Sequence, residues 1–510
     1  MRRPLLWALL VALVAPVAEA EPLALRLRTR REVAPESGRF HAVTERVSWE
    51  PRETAIVVCD MWDTHTCPAS ARRVAEMAPR MNAVLAAARD RGVFIIHAPS
   101  DTMAFYEGHP GRALARAAPA VVPVRPLERW CGRDPDREPP LPIDDEGLGC
   151  DVPTDWKPGD AYPWTRQIAT LVIEPGDAIT DSAEAYALLR QRGIKHLIVM
   201  GVHANRCVLG RPFAIRQMVR QGLDVVLVRD LTDTMYDPAR APFVSHFTGN
   251  DLVVEHIERF WCPTTTSGEF LDGREFRFAA DTRPHVVILQ GETEYRTAET
   301  LPPFAIDPLG RDYRVSFVWL DETTQASFPG IDVVRDADVL FISVRRRPLP
   351  AAELDLVRAH VAAGKPVLGI RTASHAFHLR DAAPPPGLAD WPDLDPQVFG
   401  GSYTNHHPGD VPTSVRIVPE AADHPILQGL DAAAFPAGGG LYLTAPLAPG
   451  ATELLRGRAE GVAQEEPVAW TFIRADGGRS FYTSLGHRDD FQRPECARLI
   501  TNALRWLTAP

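Results

Sequence analysis

The runs "TAIVVC" (54–59), "FIIHA" (94–98), "HLIVMG" (196–201) and "DVVLV" (224–228) are almost wholly apolar, and helical spacing separates them. The intervening helices read as "ARRVAEMAPRMNAVLAAARDRG", stopped by Gly92, then "DSAEAYALLRQRG" and "RPFAIRQMVRQG". "ATLVI" (169–173) reads as a further strand, after an irregular, Pro-rich insertion over 104–167. Strand and helix alternating in this way require right-handed crossovers and a mostly parallel sheet with helices on both faces. The pattern breaks at 264–283, which reads as a linker. A second series follows: strands "HVVILQG", "VSFVWL" and "DADVLFISV", helix "PAAELDLVRAHVAAG", strand "KPVLGI", then "RSFYTSL" and a closing helix "CARLITNALRWL". The chain is therefore α/β, with two doubly wound, mostly parallel domains at 21–263 and 284–510.

Residues 1–20, "MRRPLLWALLVALVAPVAEA", carry the marks of a secretory signal. Arg2 and Arg3 precede an apolar stretch, and Ala18-Glu19-Ala20 forms an A-x-A cleavage site. The apolar run is shorter than the roughly 20 residues a bilayer span needs. The expectation is export to the periplasm or beyond after cleavage near Ala20, with no membrane span in the mature chain. A formal net charge of −11 leaves no basic surplus to neutralise phosphates and argues against nucleic acid as a partner. Among the basic residues, the only lysines are Lys157, Lys195 and Lys365. Export would expose the seven cysteines to oxidation. Cys131 and Cys150 bracket an aperiodic Pro- and Asp-rich stretch and are the expected disulfide, worth about 3 kcal/mol on a chain-entropy model.

Ligands of open parallel sheets bind at the carboxyl ends of the strands, which would bring Asp60, His97, Glu174 and Cys207 to one rim. A cysteine beside a carboxylate that can take its proton is the minimal kit for acyl transfer through a thioester. A helix starting near Cys207 would favour thiolate, and its amides could receive an oxyanion.

"VVCDMWD" followed at long range by "GVHANRC" resembles the isochorismatase-like cysteine hydrolases, over roughly residues 50–262. The resemblance implies amide or related C–N hydrolysis with Asp60 as base and Cys207 as nucleophile. It further implies a non-proline cis peptide at Val202–His203 and an oxyanion hole from the amides of His203 and Cys207. Counted from "RQRGIKHL", the family's catalytic lysine falls on Glu174, an anion that would make a nearby thiolate harder to form. Arg166, Arg206 and Lys157 are the candidates to replace the missing cation. Trp62, His97, Asn205 and Arg206 are expected at the substrate rim, with Trp130, Trp156 and Trp164 as packing of the insertion or as an aromatic wall. The chemistry needs no cofactor; a divalent metal, as in nicotinamidase relatives, would draw on Asp63, His65 and His97. Relatives of this domain often form homo-oligomers.

In the second half, "GKPVLGIRTASHAF" sets a sharp strand-to-helix turn with Arg371 where class I glutamine amidotransferases carry a cysteine, which excludes amidotransfer. With "GGSYTNHH", "HPILQGL" and "RSFYTSLGHRDDF", residues 284–508 resemble ThuA-like (trehalose utilisation) domains, and a carbohydrate-related small molecule is what that resemblance implies. Arg371, His375, His406, His407 and His487 are the cleft candidates, joined by Tyr403 and Asp490. Two functions follow: a cysteine hydrolase with an accessory domain, or a binding protein in which both ancestral sites have decayed.

Overall fold

The computed structural model describes residues 21–431 and 433–509, so the signal-like segment lies outside the described residues. An eight-stranded sheet organises the first half. Its strands are β1 (Leu23–Glu32), β2 (Phe40–Trp49), β3 (Thr54–Cys59), β4 (Phe94–Ala98), β5 (Ala178–Ile179), β6 (His196–Val202), β7 (Asp224–Asp233) and β8 (Thr264–Thr265). Their order is β2-β1-β8-β7-β6-β3-β4-β5, parallel from β8 to β5. β3 shows why the apolar runs are unbroken: Ala55, Val57 and Cys59 enter one core, whereas Ile56 and Val58 enter the core on the opposite face. Successive side chains point to opposite faces, so a strand covered on both must be apolar throughout.

The hairpin β1–β2 is an addition to the expected pattern. Leu23, Leu25 and Leu27 alternate with Ala24, Arg26 and Arg28, and only the leucines are buried. Arg28 and Arg30 reach the buried carboxylate of Glu258 at 2.7 and 2.8 Å.

The second sheet has nine strands. Five are parallel, in the order Arg314–Trp319, His285–Gly291, Val339–Val344, Val367–Ile370 and Arg479–Thr483. Four antiparallel strands continue it: Glu465–Ile473, Ala451–Ala459, Thr413–Ile417 and Phe435–Ala437. The two-face division recurs, with Val286 and Ile288 in one core and Val287 and Leu289 in the other.

Four expectations need correction. "ATLVI" is not a strand; the third parallel strand is the two-residue β5, with Ile179 beside His97. The segment 264–283 is not a free linker, because β8 pairs with β7 and β1 while Phe270 and Phe278 fill the first domain's core. Cys150 bonds to Cys67, whereas Cys131 is a free, buried thiol whose amide is held by Gly210 O at 2.7 Å. The segment following Cys207 is broken into Cys207–Gly210 and Ile215–Arg220, so no long helix dipole points at the thiol. Among the described residues, no helix is long and apolar enough to cross a membrane.

Candidate functional site

The chain leaves β3 for β4 and β5 on one side, then returns to β6 and β7 on the other, so the switch point of the first sheet lies between β3 and β6. Asp60 ends β3 and Cys207 follows β6, one on each bank of this crevice. β6 can lie this close because residue 201 is glycine: a Cβ there would stand 2.0 Å from Cys59 O. The peptide Val202–His203 is cis, as the resemblance implied. The turn that follows leaves the amides of His203 and Cys207 without a backbone acceptor among the described residues.

Asp60 has no exposed surface, and its backbone is left-handed at φ 48°. Its Oδ1 accepts the Ser100 amide at 2.7 Å, and its Oδ2 faces Arg211 Nε at 3.4 Å. The Cys207 thiol lies close enough to this carboxylate and to Arg211 for each to act on its proton. Burial pushes the Asp60 carboxyl up, against the opposing pull of Arg211, the thiol and Ser100. Burial, and then the charge of Asp60, push the thiol well above its ordinary range, while Arg211 opposes both. Burial is the largest single influence and works against the Arg211 cation, yet Asp60, Cys207 and Asp101 together more than offset it and hold the guanidinium protonated. Arg211 is steered from outside by Asp101 at 3.0 Å, which also takes Arg129 at 2.9 Å.

Arg211, rather than Arg166, Arg206 or Lys157, is the cation beside Asp60. It lies four positions after Cys207, one helical turn on, and that spacing was the available signal. Glu174 is not brought to Asp60. It is exposed, in the turn that enters β5 from its amino end, and its amide donates to Asp177 Oδ2 at 2.8 Å. Arg166 pairs with Asp63 at 3.7 Å, and Lys157 is exposed in the insertion. Arg206 donates to the carbonyls of Asp145 and Gly147, and Asn205 clasps the backbone of Met235 at 3.0 Å in both directions; these two residues brace the turn.

His97 is wholly buried under the rim, bonded to Gln167 Oε1 at 2.9 Å and Asp177 Oδ2 at 3.1 Å. Asp63 accepts from Thr165, and His65 Nδ1 accepts the Cys67 amide. Asp63, His65 and His97 therefore do not converge. Among the described residues, the one cluster with metal-ligand geometry is Cys67, Cys150 and Asp151, whose two sulfurs are spent in the disulfide.

Beside the crevice stands a stack of rings. Trp62 lies 4.2 Å from Trp164, Trp164 lies 4.3 Å from Tyr162, and Tyr162 lies 5.8 Å from Trp156. The indole of Trp62 donates to Ser100 O at 2.9 Å, tying the stack to the residue that holds Asp60. Trp130 stands apart from it, 5.8 Å from the Arg211 guanidinium.

The second sheet's rim differs. Arg371 follows Val367–Ile370 at φ 42°, buried, and donates to Ser484 O at 2.7 Å and Gly440 O at 3.2 Å. Its guanidinium carbon is 4.0 Å from the Tyr295 ring centre and 4.6 Å from that of Tyr442. His375 stacks on Tyr403 at 4.6 Å, and the Tyr403 hydroxyl meets His406 Nδ1 at 3.1 Å. His407 is tied by its amide to Leu441 O, and the His487 amide donates to Asp490 Oδ2 at 2.9 Å, so both hold turns. Residues 285–507 match the family model described as ThuA, trehalose utilisation. The ThuA-matched segment takes in the whole nine-stranded sheet and most of the final helix, Pro494–Thr508.

No curated protein matches the chain. Solved structures similar to it include a ThuA-like protein from Parabacteroides merdae ATCC 43184, at 15% identity and TM-score 0.31 over 44% of this chain and 91% of that one. A cysteine hydrolase from Pseudomonas syringae pv. phaseolicola 1448A is 20% identical, with TM-score 0.27 over 43% and 91%. An isochorismatase family protein from Burkholderia thailandensis is 14% identical, with TM-score 0.25 over 43% and 93%. At these scores none of the three carries the reading that follows.

Proposed function

We propose that the first domain is a cysteine hydrolase acting on an amide or related C–N bond, and that Arg211 stands in for the family's lysine. The observation that carries this reading is the meeting of Asp60, Cys207 and Arg211 at the sheet's switch point. In the resting site the thiol keeps its proton. On attack, Sγ bonds to the carbonyl carbon as the proton passes to Asp60. The oxyanion is received by the amides of His203 and Cys207. The C–N bond then breaks, and the amine leaves with the proton from Asp60. Water attacks the thioester, giving its proton to Asp60, and the acid departs as the thiol reforms. Arg211 opposes the burial that raises the Asp60 carboxyl and so favours the ionised form that can take the thiol's proton.

The ThuA-matched domain is proposed to bind a small molecule of carbohydrate type at its own rim. Export accounts for the signal-like first twenty residues, and the Cys67–Cys150 disulfide suits an oxidising compartment. A competing reading, in which the first site only binds, draws on the strongly raised thiol pKa.

The two are separated by ammonia release from a panel of primary amides, measured with the pH dependence of Cys207 alkylation. Hydrolysis near neutral pH is expected, falling about a thousandfold or more in Cys207→Ser and roughly a hundredfold in Arg211→Gln. Arg211→Lys should keep most of the rate. If no amide is turned over and alkylation is the same in Arg211→Gln as in the wild type, the site is a binding site.

A further inference from the structure

The second sheet also has a switch point, between His285–Gly291 and Val339–Val344, whose connections leave in opposite directions. The loop leaving Val344 is Arg345-Arg346-Arg347. Arg345 is answered by Glu294, from the loop leaving the neighbouring strand, at 2.5 Å. Arg346 and Arg347 have no acidic partner among the described residues, and Arg346 Nη1 and Arg347 Nε are buried without a hydrogen bond. The placement of Arg346 is fixed by the elbow. Its backbone is left-handed at φ 52°, and its amide donates to His375 O at 3.0 Å. The Arg347 amide donates to Ala376 O at 2.7 Å. Tyr403 stacks on His375 and lies 4.5 Å from Tyr442, and both tyrosines act electrostatically on Arg346.

Positive charge is felt by both His375 and Tyr403. Burial, then Arg346 and Arg345, press His375 down to about 2, and Arg380 acts on His375, Tyr403 and Arg346 alike. A chain with a net charge of −11 that pairs most of its arginines has left these open at a place where parallel sheets hold ligands. Guanidinium forks match carboxylate and phosphate oxygens, and an unpaired buried donor is costly unless something arrives to accept from it.

We propose that this crevice receives an anionic oxygen group of a small molecule, a carboxylate or a phosphate, on Arg346 and Arg380, with the half-buried ring of Tyr403 against the body of the ligand. The inference rests on the reading of this rim as a ligand cleft and adds the charge of what enters it.

Calorimetric titration of the full chain with inorganic phosphate, with glucuronate and with neutral trehalose tests both. At least one anion is expected to bind once per chain and to weaken with added sodium chloride. Its affinity should fall at least about tenfold in Arg346→Gln and in Arg380→Gln, and stay unchanged in Arg335→Gln on the exposed turn Ile331–Asp336. Arg380 is exposed, so its variant should fold even if Arg346→Gln does not; a thermal melt of each variant decides that point. Phosphate or glucuronate binding alone names the group. If neither anion binds, or binding survives both substitutions, the inference is overturned. Trehalose binding in that case leaves the cleft standing without its charge preference, whereas no binding of any probe removes the cleft as well.

Discussion

Both domains place a left-handed, non-glycine residue just past a parallel strand, Asp60 at φ 48° and Arg371 at φ 42°, and both bury it. Such a backbone costs on the order of 1–3 kcal/mol and persists only where its surroundings demand it. The surroundings differ. Asp60 is matched by a full opposite charge and lies beside a thiol, so its proton affinity is contested by Arg211, Cys207 and the Ser100 amide. Arg371 is matched by two carbonyl oxygens and two tyrosine faces, none of which readily exchanges a proton. A buried charge balanced by a thiol and a cation can do acid–base work. One balanced by carbonyls and rings can only hold shape or position a ligand.

The largest effect expected in the second domain concerns Asp395, which accepts the Tyr403 amide on Oδ2 at 2.8 Å and has an unpartnered Oδ1. Burial lifts its carboxyl to about 7. Since this folded value exceeds the unfolded one, the native state holds a proton that the unfolded chain releases between about pH 4 and 7. Stability should therefore fall as pH rises across that window, by roughly 4 kcal/mol in all, and level off above it. Asp395→Asn keeps an acceptor and removes the titration. Urea melts from pH 4 to 8 should show a flatter profile for the variant and a gain at pH 8; the wild-type slope retained in Asp395→Asn would refute the assignment. A smaller loss, about 3 kcal/mol, is expected for Arg371→Gln, which strands the carbonyls of Ser484 and Gly440. Calorimetric melting should show it while the alkylation of Cys207 stays unchanged. A variant as stable as the wild type would mean that Arg371 does not hold the elbow, and altered alkylation would mean that the rims are coupled.

What the sequence makes legible follows from the range of the interaction involved. Strands buried on both faces announce themselves locally, and β3, β4, β6 and β7 stand within a few residues of the apolar runs that predict them. Asp60 is legible for the same reason, as the first polar residue beyond such a run, and Cys207 as the cysteine of the turn that follows another. β5 has two residues, too few for any pattern, and the more apolar "ATLVI" beside it draws the assignment although Val172 is 44% exposed. Counting the lysine position through that false strand leads to Glu174. Arg211 is hidden differently, because its partner Asp60 lies 151 positions away and only the spacing from Cys207 is local. The disulfide has the same character: Cys67 and Cys150 are 83 positions apart, and no local pattern ties one to the other. In the second domain the parallel half of the sheet is legible, whereas in the antiparallel half Thr413–Ile417 and Ala451–Ala459 mix buried with exposed positions along the strand.

The smallest effect expected belongs to the ring stack, and it bears on whether the first rim is shaped for a substrate. Trp62, at the inner end, is 5% exposed and bonded to the residue that orients Asp60, whereas Tyr162, two rings out, is 59% exposed. Packing alone would not need so much aromatic surface left in water. A planar or sugar-like ligand would cover it, with stacking worth about 1 kcal/mol per ring pair. Tyr162→Ala should then raise KM about fivefold and leave kcat and the melting temperature nearly as they were. If the stack only pins the insertion, the loss will appear in stability with KM unchanged. The two outcomes fall on different measurements, so one set of kinetics and one melt decide between them.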